Sequence, residues 1–535
     1  MATTSSAATR YLALAAVLTS ILSLPNGAQA QTAADALRFS DRDPATNARM
    51  MGMAGAGGFA GIADYTALLN NPAGLGFFDR SMAAGALHTL SALDQSTAEV
   101  AGNRGGSDNS IRQTGLQNLA YVYKFPTSRG SLVIGGAYNQ TNTFERELIY
   151  SLQNPNNSIT DFFTPYPDEF QITADPGSDG IPGTSDDQFT VDWFRDISQI
   201  AYETFAIDII PSLYYAGDPV PFLPAVTAGT VQQDERVTEG GRMHEINLGG
   251  AWEAAPGLMT GLSANLAFGK YNFTRRFQEA DVNDANNGLP GTNTTDFDRL
   301  ALTSGFASDL VGFNLRGGVS GQLARGLRAG LSVETPTYYH VNEDYNTFLE
   351  TFFDNGDHYT YGDLSDDVGS GSYEYRILSP WRFGAGAAFT TSDLTVALDA
   401  EFIDWTQMRL RPAGDYGGVD PYEAENLNIR DNYNAVVNTR LGAEYWLGKV
   451  ALRAGFARQP DARKNGGVDR TRNYLSAGLG YRFGEQAEIN VGWMQERFDD
   501  QWLPYAGETV ANGPEPAVQE EVSRNRFSVG FRFFF

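Results

Sequence analysis

The chain has 535 residues, with 38 Lys plus Arg against 64 Asp plus Glu and a formal charge of −26 at pH 7. That balance excludes a nucleic-acid partner, because phosphate binding needs cationic surface. Cysteine is absent, and the four histidines (His88, His244, His340, His358) show no metal-ligand spacing, which excludes a disulfide scaffold and a histidine metal centre.

Residues 1–30 read as a signal peptide: Arg10, an apolar stretch from Tyr11 to Leu24, a break at Pro25-Asn26-Gly27, then the small-x-small site Ala28-Gln29-Ala30. The stretch is too short for a spanning helix. A mature chain beginning near Gln31 is expected. Residues 31–80 are rich in glycine and small residues, which permit close backbone approach.

From Ser81 to Phe535 the signal changes to period-2 alternation. Phe527, Val529, Phe531, Phe533 and Phe535 form one apolar face, and Leu475, Ala477, Leu479, Tyr481 and Phe483 another. Fourteen such segments are expected, near 81–93, 114–126, 130–144, 240–254, 257–277, 307–324, 326–338, 372–390, 393–409, 430–447, 449–460, 470–483, 486–500 and 522–535. Short turns alternate with long connections at 94–113, 145–239, 278–306, 339–371, 410–429, 461–469 and 501–521. The fold class is therefore all-β: a 14-stranded antiparallel transmembrane β-barrel, residues 81–535, with a small N-terminal plug, residues 31–80, in its lumen. A wall of that size is too wide for its own side chains to fill, so the lumen is either a water channel or plugged. Both chain ends are expected on the short-turn, periplasmic side. Alternation turns Arg316, Arg328, Arg382, Arg440, Arg453, Arg482 and Arg532 inward, together with Glu245, Glu253, Glu334, Asp399, Glu401 and Glu444.

Within the third segment Gly135 and Gly136 either bend the strand inward or merely ease barrel curvature. The largest loop, 145–239, is acidic. Its Asp175, Asp179, Asp186 and Asp187 surround glycine turns and would suit a structural calcium ion, the alternative being a flexible acidic loop. No other cofactor is required. Tyr338, Tyr339, Phe348, Phe352 and Phe353 are candidates for capturing an apolar ligand. No nucleophile elbow, phosphate loop or HExxH motif is present, and His88 and His244 stand alone on strands, so no enzyme is expected.

Arg49, Gly52, Gly55, Gly57, Gly58, Ala63, Asp64, Asn71, Pro72, Ala73 and Gly74, in that order just after a signal peptide, resemble the plug, or hatch, of the FadL-type outer-membrane transporters. The resemblance implies passive transport of hydrophobic molecules, such as long-chain fatty acids, past a gating plug, with lateral exit at an inward bend of the third strand. Partners would be the apolar ligand and outer-membrane lipid, with the protein acting as a monomer. FadL-like barrels that serve type IX protein secretion supply the alternative role. Arg532-Phe-Phe-Phe535 resembles the aromatic-ended last strand read by the barrel-assembly machinery.

Overall fold

The computed structural model describes residues 31–535, apart from 63, 185, 287–295, 363–367, 415–416, 419, 465 and 506–515. The expected signal peptide and Ala63 lie outside the described residues. One closed antiparallel sheet forms the wall. Its fourteen strands are β1 (Met82–Val100), β2 (Asn103–Lys124), β3 (Leu132–Thr143, continued by Arg146–Asn154), β4 (Val231–Ala255), β5 (Leu258–Asp281), β6 (Phe297–Ala324) and β7 (Leu327–Glu334 and Tyr338–Phe353). They continue as β8 (Ser370–Leu378 and Arg382–Thr390), β9 (Leu394–Asp404 and Arg409–Pro412), β10 (Ala435–Leu447), β11 (Val450–Gln459), β12 (Arg472–Phe483), β13 (Ala487–Trp502) and β14 (Ala517–Phe534). The pairing of β1 with β14, Met82 opposite Phe534, closes the barrel and abolishes both sheet edges.

The outward face explains the alternation. Leu262, Leu266, Phe313, Leu315, Leu398, Leu441, Leu479 and Phe531 all point out of the wall and are exposed, which only lipid makes favourable. On β5 and β6 this apolar band ends at the outward pair Lys270–Asp309, 2.7 Å apart, above which the strands stand in water. Strands β7, β8 and β9 break at one height. Pro336 and Pro380 lack the ladder N–H, and a short 3-10 turn, Trp405–Gln407, interrupts β9.

Several boundaries differ from the sequence reading. The connection placed at 94–113 is only the turn Ala101-Gly102, because β1 and β2 pair up to Val100 and Asn103. Residues 339–353 are strand rather than loop. Within the apolar band Gly135 and Gly136 are in regular register with Val122 and Tyr121, and it is Gly249, opposite Gly135 on β4, that makes room for Leu68 of the plug: a Cβ there would lie 2.9 Å from it. The third strand leaves the wall later: pairing with β2 ends at Asn118–Asn139, a bulge follows at Gln140/Asn142, and Arg146–Asn154 then runs along the inside of the β1–β2 hairpin.

The loop at 145–239 is folded. Its short helices and hairpins bury Ile159, Phe163, Ile197, Ile200, Ile207 and Phe222 against Phe277, Leu300 and Leu349 of the wall tops. It forms a cap over the mouth on the long-loop side.

Candidate functional site

Residues 31–81 fill the lumen. They contain a helix Ala33–Ser40, one turn of helix Ala48–Met51 and 3-10 turns Tyr65–Leu68 and Pro72–Phe77. The first helix begins with a capping box, Thr32 and Asp35 bonding each other's backbone, which satisfies its free N–H groups. Asn71 is both the cap of the Pro72 turn and a clamp: its Nδ2 donates to the carbonyls of Phe59 (2.8 Å) and Val319 (3.0 Å), while its Oδ1 accepts from Ala73 N–H. Gly58 leaves space for Asn70, and Gly61 and Gly74 approach so closely that a Cβ on Gly74 would lie 2.9 Å from the other Cα.

The plug is held to the wall by ion pairs. Arg49 donates to Glu444 through Nε (3.0 Å) and Nη2 (2.8 Å), and its Nη1 is 3.6 Å from Asp64. Glu444 also accepts from Arg453 Nε at 2.6 Å. Asp399 of β9 accepts from the N–H groups of Gly57 (2.9 Å) and Phe59 (3.1 Å). Arg328 donates to the Gly61 carbonyl at 2.7 Å. The inward arginines and acids read from the sequence therefore do meet: Arg316 with Glu245 and Glu334, and Arg382 and Arg440 with Glu401.

Sequence reasoning missed three further plug-to-wall pairs: Arg42 with Glu334, Asp41 with Arg472 and Asp43 with Arg526. It also missed the lumen-facing wall glycines. A Cβ on Gly455 would meet Met53 backbone at 2.3 Å, and one on Gly386 the Ala60 nitrogen at 2.6 Å. The available signal was glycine recurring at inward positions of successive strands.

The plug runs opposite to expectation. Tyr422 donates to Gln31, and Ala33 N–H donates to Glu425, both acceptor and donor partners lying in the β9–β10 connection on the long-loop side. The chain descends from there to Ser81 at the turns. Thus the C-terminal Phe535, whose N–H bonds Ser81, is on the short-turn side, but Gln31 is not. Helix Ala33–Ser40 sits so because Ala33, Ala36 and Phe39 bury into an apolar cluster with Phe144, Tyr271, Tyr339, Tyr375 and Trp405.

Above that helix runs a column of aromatic rings. Trp502 lies 6.1 Å from Phe273, Phe273 5.2 Å from Phe306, Phe306 5.6 Å from Tyr271, and Tyr271 5.7 Å from Phe39. Phe273 packs against both the cap core and the plug cluster, so the rings connect the two. Below the helix, a cavity of about 30 Å³ lies among Arg42, Asp43, Thr46, Arg382, Glu401 and Arg440. That holds a water or two and no ligand.

The aromatic capture set is dispersed by strand alternation. Tyr338 faces outward beneath Arg376, and Phe352 stacks outside on His358. Tyr339 and Phe353 point inward, to the plug cluster and the cap core, and Phe348 is half-buried on β7. Of the four loop aspartates, Asp186 accepts from Ser178 and Asp179 N–H groups, Asp187 from Gly183 N–H and Tyr215, Asp179 from Ile181 N–H and Asp175 from Gly177 N–H. These carboxylates hold their own turns. Among the described residues, the carboxylates that converge closely are Asp284, Asp296 and Asp354 instead.

At the top of β5, outside the membrane band, Glu279 holds the cap: it accepts from Ser158 Oγ, Ile159 N–H and Gln233 Nε2, and burial pushes its carboxyl from 4.5 up to about 7. Between those values the folded cap keeps a proton that the unfolded loop loses. The stabilisation is complete below pH 4.5 and falls as pH rises through about 7, by about 3 kcal/mol in all. Protease cleavage of the cap should therefore accelerate between pH 5 and pH 8 in the parent and not in Glu279→Gln; equal pH dependence in both would remove Glu279 as the cause.

No protein-family model and no curated protein matches the chain. Among solved structures, a Pseudomonas aeruginosa FadL homologue matches at 13% identity and a TM-score of 0.52, over 92% of this chain and 99% of that one. The P. putida toluene transporter TodX matches at 13% and 0.45, over 88% and 94%, and the Ralstonia pickettii toluene transporter TbuX at 14% and 0.45, over 93% and 99%. The FadL homologue shares the architecture described above.

Proposed function

We propose, on the premise of this FadL-type fold, that the protein is a passive outer-membrane transporter of hydrophobic small molecules, long-chain fatty acids or similar compounds, and not an enzyme. The observation that carries this is the aromatic column ending on helix Ala33–Ser40. Aromatic rings offer apolar area to a greasy ligand at low entropic cost, and the helix stands where that ligand would arrive. Ligand binding in the column competes with Phe39 for the same surface and so draws the helix away.

Lateral exit is the finer part of the reading. Where β3 leaves β2, Arg242 donates to Gln113 at 3.0 Å and Gln113 to Glu145 at 2.5 Å, a polar latch across the opening. A Cβ on Gly115 would meet only the tip of Arg242 there. Leu116 and Leu119 are exposed on the outward face beside it, which supports an exit into lipid.

Uptake of a labelled fatty acid by cells lacking other uptake routes tests both parts. Phe306→Ser should lower the initial rate about tenfold by breaking the column. Undiminished uptake would exclude the column as the path. Gly115→Leu should also reduce uptake if ligand leaves sideways, and leave it unchanged if ligand passes the plug.

A further inference from the structure

One outward surface of this acidic chain gathers several cations side by side. On β7, β8 and β9, just above the wall breaks, His340, Arg376 and Arg411 are direct cross-strand neighbours, and Tyr338, Leu378 and Arg409 form the next row toward the membrane. Their flanking residues Tyr339, Tyr375, Ile377 and Leu410 point inward to the plug cluster, so the arginines point out. Like charges placed directly opposite repel. Elsewhere on the outer face Lys270, Arg104 and Arg236 each have a carboxylate within ion-pair distance, whereas Arg276, Arg458 and Arg497 are exposed with none among the described residues. Among the described residues, Arg376, Arg409 and Arg411 have none, although Glu374, Asp420 and Glu423 are nearby.

Height gives the cluster its meaning. Trp381, Phe383 and Phe402, exposed on the same strands, mark the upper edge of the apolar band. The arginines begin a few residues above. Beside them a groove of about 690 Å³ opens between β9 and the helix Glu423–Asn432, with Arg430 on its far side. Arg409 Nη1 is fixed by the carbonyls of Thr406 (2.8 Å) and Met408 (2.6 Å), and the Arg376 guanidinium sits 5.9 Å from the Tyr338 ring centre, so two of the three are positioned before any ligand arrives.

We infer that this patch binds the phosphate groups of a glycolipid in the outer leaflet, an inference that rests on the outer-membrane reading above. Guanidinium groups match phosphate oxygens bidentately, the groove admits the sugar backbone, and the acyl chains lie against Phe383 and Phe402 below. An apolar groove for a peptide would lack this row of unpaired charge at the membrane boundary.

The full barrel, purified in nonionic detergent, is titrated with bisphosphorylated lipid A, with its dephosphorylated counterpart and with inorganic phosphate. The bisphosphorylated lipid should bind, more weakly as salt rises, and the dephosphorylated one should not. Arg376→Gln with Arg411→Gln should weaken binding about tenfold or more, Arg411→Lys should give an intermediate loss, and Arg458→Gln, exposed on β11, should leave it unchanged. Heat-modified gel mobility monitors the fold of each variant. Equal affinity of parent and double variant overturns the site, and inorganic phosphate binding as tightly as the lipid overturns the lipid as its source. Apolar uptake plays no part in this titration, so either reading can fail alone.

Discussion

Removing residues 31–78 is expected to convert a closed barrel into an open pore. The wall ladder from β1 round to β14 contains no plug residue, so its hydrogen bonds survive the deletion. What disappears is the filling: the helix in the aromatic cluster, the Asn71 clamp and the plug halves of the ion pairs. The inward arginines and acids left behind line a wet lumen and are solvated. Planar-bilayer recordings should show a closed baseline for the intact protein and large steps, of the kind expected from a wide water-filled barrel, after deletion. Large steps from the intact protein would defeat plugged transport.

Glu444→Gln is expected to loosen the plug without opening the wall. Glu444 is the shared acceptor of Arg49 from the plug and Arg453 from β11, with Glu444 and Arg453 buried and Arg49 partly so. The amide leaves Arg49 with Asp64 at 3.6 Å and Arg453 with Glu488 at 3.5 Å as their remaining carboxylates, so the loss should fall below the about 3–5 kcal/mol of a buried charge left wholly unpaired. Arg49→Met removes one cation and leaves Glu444 paired with Arg453, so its effect should be smaller. Hydrogen exchange should show faster exchange in 47–61 for Glu444→Gln, in that order relative to Arg49→Met, with wall amides unchanged. Equal protection in parent and Glu444→Gln would show that the glycine-seated contacts alone hold the plug.

The wall was legible because lipid imposes apolar residues on every second position, and all fourteen strands carry that mark where they cross the membrane. Above it the mark fades. Ser107 to Arg112 of β2 stand in water on the outside and carry no apolar face, so the sequence suggested a loop where the structure has strand. The cap escaped notice for a different reason. Its buried residues, such as Ile159, Ile200 and Phe222, come from short elements with no sustained period, and they find their partners on wall strands far away in sequence. Plug composition was readable in its glycines and in Asn71-Pro72, but not its direction, which depends on where the small apolar face of Ala33–Ser40 finds rings to pack on. Gly135 illustrates the limit well. It signalled a special position, yet it sits in regular register opposite Val122, and the glycine that accommodates Leu68 is its neighbour Gly249.

The upward-pointing plug constrains the order of biogenesis. Many of its contacts are with the wall, and Gly52 meets Gly478 of β12 and Ala48 meets Gly492 of β13, strands synthesised late. A plug cannot complete its fold on such partners until they exist, nor easily thread from the turn side to the β9–β10 connection once the β1–β14 seam is zipped around it. The N-terminal segment therefore has to seat before the wall closes, and the zipping of the β1–β14 seam becomes the event that traps it.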